Sequence, residues 1–121
     1  IIFNVTKQAV NPGMNFGSYG LPKSSLFFLV KQLALELGRF NIKVNGINAD
    51  KIKSGLLNEQ LIKSRSKSRG LSVDNYMKGN LLKKEVLAED VANGFLSLVK
   101  SNKTTAHILT IDGGNIESSL R

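Results

Sequence analysis

Apolar residues fall along this chain in short blocks, some with the period of a helix and some continuous, separated by polar and glycine-bearing stretches. Residues 1–6 (IIFNVT) are β-branched and aromatic and suit a buried parallel strand. Asn11-Pro12-Gly13 and Gly17 mark residues 7–18 as a loop. Residues 19–38 predict a helix that stops at Gly38, the expected C-terminal cap. Pro22 fits that helix only in its first turn. Residues 42–47 (IKVNGI) predict a second buried strand, and residues 48–84 are irregular and polar, with short helices expected near 56–64 and 73–79. Val91, Phe95, Leu98 and Val99 have helical spacing and predict a helix over 86–100. Residues 106–111 predict a third strand, ended by Asp112-Gly113-Gly114.

The order strand, helix, strand, insert, helix, strand implies an α/β fold with a parallel sheet covered by helices. With no internal repeat and no linker, residues 1–121 read as one partial domain. Its parts are a strand-helix-strand unit (1–54), a basic insert (55–84) and a last helix and strand (85–121). Three strands are few for such a sheet, and the first would leave a bare edge. Residue 1 is not Met, and Ile1-Ile2-Phe3 reads as a strand already under way. The expectation is therefore a piece of a protein that extends upstream, or a chain that assembles with a partner.

The first helix adds to this. On a helical wheel, Leu26, Phe27, Leu29, Val30, Leu33, Ala34 and Leu37 form one broad apolar face. Phe28 and Leu35 form a second stripe among polar neighbours. A helix apolar on two sides is usually covered on two sides. One side takes the sheet. The other is expected to take a helix from upstream residues or from a second subunit, so helix 19–38 is the expected seam of a homo-oligomer.

Composition narrows the function classes. There is no cysteine, hence no disulfide or cysteine metal site, and His107 is the single histidine, so no histidine metal cluster is expected. His107 reads as a strand residue with an ordinary hydrogen bond. The longest apolar run, Leu26 to Val30, is too short to cross a membrane. Ile1-Ile2-Phe3 lacks the features of a secretory leader, and the expected location is cytoplasmic. The net charge of +8 is concentrated in Lys63-Ser64-Arg65-Ser66-Lys67-Ser68-Arg69. That run reads first as a solvated, mobile surface segment. The alternatives are binding of an anionic substrate and, less favoured, of nucleic acid. No aromatic residues alternate with its charges as a base-stacking surface needs, so nucleic acid is not the expected partner.

Chemistry concentrates at Tyr19 and Lys23, four residues apart, with Thr6 thirteen residues before the tyrosine. On a helix the phenol and the ammonium project from one face. A neighbouring cation favours the phenolate, which suits a tyrosine that trades protons.

Four features in register resemble the C-terminal half of the short-chain dehydrogenase/reductase superfamily. They are Asn4-Val5-Thr6, the Tyr19/Lys23 pair, Val44-Asn45-Gly46-Ile47 and Asp112-Gly113-Gly114. The stretches 7–13 (KQAVNPG), 19–23 and 44–55 (VNGINADKIKSG) are similar to the dehydrogenase part of bifunctional rhamnulose-1-phosphate aldolase/short-chain dehydrogenase proteins. The resemblance implies half of a Rossmann-like, doubly wound sheet and an NAD- or NADP-dependent oxidoreductase acting on a small alcohol, aldehyde or sugar. It implies Tyr19 as general acid/base, Lys23 as its cationic partner and ribose ligand, and Thr6 as the hydroxyl that orients the substrate. Ala49, Asp50, Ile52 and Ser54 fall where the family holds nicotinamide, and residues 55–84 where it places a substrate lid.

Two departures stand out. Threonine replaces the usual serine, and its β-methyl stiffens χ1 and crowds the site. Ala49-Asp50 replaces the usual Pro-Gly and puts a carboxylate beside the cofactor unless it turns outward. Ser54 doubles as an expected helix N-cap ahead of Leu56-Leu57. Asn93-Gly94 weakens the last helix and suggests no site. The glycine-rich turn that receives the pyrophosphate would lie upstream. This chain alone is therefore expected to bind no dinucleotide tightly and to turn over nothing. The competing readings are a non-catalytic assembly module on the same scaffold and a basic nucleic-acid binder.

Overall fold

The computed structural model describes residues 1–115; the remainder of the last predicted segment, residues 116–121, lies outside them. Three strands, β1 (Ile2–Asn4), β2 (Asn45–Ala49) and β3 (Ile108–Ile111), form a parallel sheet in the order β1-β2-β3. The register pairs Phe3 with Gly46 and Gly46 with Ile108. Helix α1 (Gly17–Leu37) connects β1 to β2. The longer connection from β2 to β3 holds α2 (Glu59–Ser68), α3 (Val73–Met77) and α4 (Ala88–Lys100).

Adjacent residues of a strand point to opposite faces. A methyl group built on Gly46 would meet Val30 of α1, whereas Ile47 lies against Gly94 of α4. The two long helices thus cover opposite faces of the sheet, which gives a layered α/β arrangement of Rossmann type with Val30, Val44 and Ile47 fully enclosed. Gly94 has a packing role that its helix-weakening reputation hides: a Cβ there would stand 2.1 Å from Ile111 Cδ1. Only glycine lets α4 settle onto β3 at this point.

Several boundaries differ from expectation, each for a local reason. Ladder hydrogen bonds begin at Asn45, because the stretch before it is met by the turn at Thr104–Ala106: Val44 N donates to Thr105 Oγ1 and Ala106 N to the Val44 carbonyl. The third strand starts only at Ile108, since Ala106 is left-handed with φ 57° and breaks the extended run. His107 accordingly precedes β3 and is exposed. The first strand ends at Asn4, and Thr6 opens a 3₁₀ turn over Lys7–Ala9. Helix α1 begins at Gly17, so Pro22 sits in its second turn; the carbonyl its ring leaves unbonded belongs to Ser18, which is exposed. Gly38 does not stop the helix in a left-handed conformation: its φ is −57°, and the left-handed residue is Asn41, at φ 60° after a 3₁₀ turn.

On α1, Val30 and Ala34 are buried. Phe28 and Leu35 are exposed, at 69% and 79%, and Leu21 joins them on the outside. The basic run is not a loose segment. It forms the last two turns of α2, with Ser66 buried and Arg65 half-buried. Leu57, Ile62, Tyr76 and Met77 make a small apolar nucleus within the insert.

Candidate functional site

The carboxyl ends of all three strands open onto one cleft of ≈ 1340 Å³. This is where open parallel sheets hold ligands. Thr6, Tyr19, Ala49, Asp50, Ile52 and Ser54 all line it, so residues spread over 49 positions of sequence converge.

Tyr19 lies in the first turn of α1, half-buried, its ring edge-on to Phe16 at 6.3 Å. That turn is held close to the 3₁₀ turn after β1. Ser24 Oγ donates to the Ala9 carbonyl at 2.8 Å, and a Cβ on Gly20 would stand 3.1 Å from the Gln8 carbonyl oxygen. Lys23 stands one turn on, behind the tyrosine rather than in the cleft wall. Its Nζ is 5.9 Å from the centre of the Tyr19 ring and donates to the Asn4 carbonyl at 3.1 Å. The helical spacing of Tyr19 and Lys23 therefore puts phenol and ammonium together, and the Asn4 bond ties both to the end of β1.

Asp50 does not present a bare carboxylate. Its Oδ2 faces Lys7 Nζ at 3.4 Å and Lys51 Nζ at 3.8 Å, and accepts from Asn115 Nδ2 at 3.0 Å. Ser54 Oγ accepts from Leu57 N at 3.1 Å and caps a turn; the N-cap of α2 is Asn58, whose Oδ1 accepts from Leu61 N. Asp112-Gly113-Gly114 joins the sheet to the insert. Asp112 Oδ1 accepts from Gly114 N and Asn115 N, while the Gly113 and Gly114 carbonyls accept from Leu82 N and Leu81 N. Both glycines have positive φ, 70° and 85°, a backbone that side-chain-bearing residues adopt only with strain. Gln8 Oε1 is buried at the cleft wall without a hydrogen-bond partner among the described residues. The cleft thus contains a buried acceptor without a partner among the described residues and a carboxylate paired with lysines. These acceptors fit a ligand that brings hydroxyl or amide N–H and O–H groups. Lys7, Phe16, Asn115 and Gln8 escaped the sequence reading. Their only sequence-level signal is proximity to a strand end or to the tyrosine.

A family model described as enoyl-(acyl carrier protein) reductase matches residues 2–115. The chain belongs to the short-chain dehydrogenase/reductase family. An uncharacterized oxidoreductase of Bacillus subtilis, YuxG, is 29% identical over 94% of this chain but only 18% of its own length. The 7alpha-hydroxysteroid dehydrogenase of Escherichia coli is 26% identical over 97% of this chain and 44% of its own. Among solved structures, a short-chain dehydrogenase family protein from Francisella tularensis is 27% identical with a TM-score of 0.78, matched over 93% of this chain and 49% of that one. The L-sorbose reductase of Gluconobacter frateurii, complexed with NADPH and L-sorbose, is 27% identical with a TM-score of 0.79 over 96% and 46%. The chain spans less than half the length of these short-chain dehydrogenase/reductase relatives. No described helix is long and apolar enough to cross a membrane.

Proposed function

We propose that this chain carries the acid/base and nicotinamide-facing half of an NAD- or NADP-dependent oxidoreductase acting on a small alcohol, aldehyde or sugar. The observation that carries the proposal is the juxtaposition of Tyr19 and Lys23 on one face of α1, with Thr6 on the same cleft. In the reducing direction the Tyr19 hydroxyl gives its proton to the substrate's carbonyl oxygen as that carbon gains hydride; in the oxidising direction the phenolate takes it back. Lys23 sets its ammonium behind the phenol, 5.9 Å from the centre of the ring. Thr6 donates to the same oxygen and fixes its direction, and its restricted χ1 narrows the range of substrates accepted. When bound, the dinucleotide supplies or accepts the hydride. Lys23, Ala49, Asp50, Ile52 and Ser54 are the residues that would hold its nicotinamide and ribose. The Lys7 ammonium beside Asp50 offsets the charge of its carboxylate.

The test is Tyr19→Phe in the full-length protein that carries this chain. The expected result is a loss of turnover of about 10² to 10⁴, as for removal of a general acid/base, with an unchanged fold by circular dichroism. Near-normal activity removes the assignment. A fused aldolase partner stays part of the proposal on the sequence resemblance of residues 7–13, 19–23 and 44–55 alone.

A second reading, that the chain's main task is assembly, is favoured by one observation: Leu21, Phe28 and Leu35, seven residues apart, stand exposed along α1. Phe28→Ser with Leu35→Ser is expected to lower the mass seen by light scattering. An unchanged mass rejects α1 as a subunit seam.

A further inference from the structure

The cleft is unequally charged. Asp50 is its one acidic residue among those described, and Lys7 and Lys51 already face it. The same cleft is lined by Arg65 of α2 and by Arg69, the residue that caps the helix four positions on. Neither guanidinium has a carboxylate partner among the described residues. Each lies on an aromatic ring instead: Arg65 is 4.3 Å from the centre of Phe16, and Arg69 is 5.4 Å from that of Tyr76.

Stacking uses the flat face of a guanidinium and leaves the N–H donors in its plane. One N–H of Arg69 is taken, donated to the Arg65 carbonyl at 3.2 Å. The others remain for an acceptor in the cleft. The stacked rings also hold the forks in place, so little side-chain freedom is lost when an anion arrives. The helix is anchored by Ile62 and Ser66, both buried, which neighbour the two arginines on the helix surface and fix where they emerge. The aromatic beneath Arg65 is the same Phe16 that touches Tyr19 edge-on at 6.3 Å. Arg65 and the Tyr19 phenol therefore both neighbour Phe16 and line the same cleft, within the reach of one small substrate.

We infer that Arg65 and Arg69 form an anion subsite that holds a phosphate or carboxylate at the far end of the substrate while its carbonyl or hydroxyl meets Tyr19. This rests on the dehydrogenase reading and adds the substrate class: a small hydroxy or oxo compound bearing an anionic group. Planar, in-plane donors in a pair favour the bidentate recognition of such groups.

The experiment compares D-glyceraldehyde 3-phosphate with D-glyceraldehyde in the full-length protein, with NADH and with NADPH. The expected kcat/KM is at least about tenfold higher for the phosphorylated aldehyde, since charge-assisted bonds of this kind exceed the free energy of one decade. Arg65→Gln with Arg69→Gln is expected to erase that preference through KM and to leave the neutral aldehyde and dinucleotide affinity unchanged. Arg65→Lys with Arg69→Lys, which keeps the charge and the fold, is expected to retain part of it. Equal use of the two aldehydes overturns the subsite. So does a substitution that weakens NADH or NADPH binding instead, which assigns the arginines to the dinucleotide's own phosphates. A second readout does not depend on turnover: the Nε–H resonances of Arg65 and Arg69 should shift saturably with inorganic phosphate. No shift rejects the anion subsite whatever the enzyme does. A shift in a protein that reduces neither aldehyde upholds the anion site and rejects the dehydrogenase reading beneath it.

Discussion

The sheet and the insert above it are held in different ways. In the sheet, Val30, Val44 and Ile47 are fully closed between layers that segments distant in sequence contribute. The insert gathers Leu57, Ile62, Tyr76 and Met77 into a nucleus of its own, from residues within one connection. It meets the end of β3 through polar groups: the Gly113 and Gly114 carbonyls accept from Leu82 N and Leu81 N. A region with a private apolar nucleus and polar attachments can shift as a unit without unpacking itself. That property suits a cover over a substrate cleft, which has to open and close intact.

The contrast makes its largest prediction at Ile47. Replacing Ile47 by Ala removes a wholly enclosed side chain at the centre of the sheet, and is expected to cost about 3 kcal/mol, as large-to-small core changes do. Urea unfolding should show the loss as a lower midpoint with the slope unchanged. Loss confined to the insert would mean that the two regions are not separately packed.

Met77→Ala is the matching cut in the insert. It removes a buried side chain from the smaller nucleus and is expected to cost about 2 kcal/mol. The effect should be local: amide exchange should quicken in α2 and α3 while the strand amides keep their protection. Equal quickening of β2 would join the two regions into one cooperative unit.

The same division explains what sequence made visible. Helices and strands of the sheet half were legible because their apolar blocks are periodic and punctuated by glycine and proline, and the Tyr19/Lys23 pair was legible because helical spacing alone brings the two together. Strand limits were not, since they depend on partners: β3 waits for the left-handed Ala106, and β2 runs on through polar Asn48 because Thr110 is there to pair with it. The Asp50 cluster was illegible for a like reason. Lys7 and Asn115 lie 43 and 65 residues from Asp50, and only the strand register brings them to it. The basic run misled because charge was read without shape. Its buried face is carried by Ile62 and Ser66, and serine gives no hydropathy signal.

The smallest effect is expected where charge rather than packing straps the insert down. Lys53, just after the strand end, donates to Glu59 Oε1 at 3.1 Å in the first turn of α2, and both side chains are largely exposed. That hydrogen bond, the charge of Lys53 and then that of Lys63 hold the Glu59 carboxyl below its ordinary 4.5. A lowered value means that folding favours the ionised form. Its support is therefore complete above the ordinary value and fades as pH falls through the lowered one. Because water screens an exposed pair, the fade should be slight. Exchange in α2, corrected for the intrinsic effect of pH, should be flat from about pH 7 to 5 and rise only below the ordinary carboxylate range, by less than Met77→Ala produces. High salt should flatten even that rise. An acid response larger than that of Met77→Ala would reverse the ranking. The insert would then be held by its ion pairs, and its apolar nucleus would follow rather than lead.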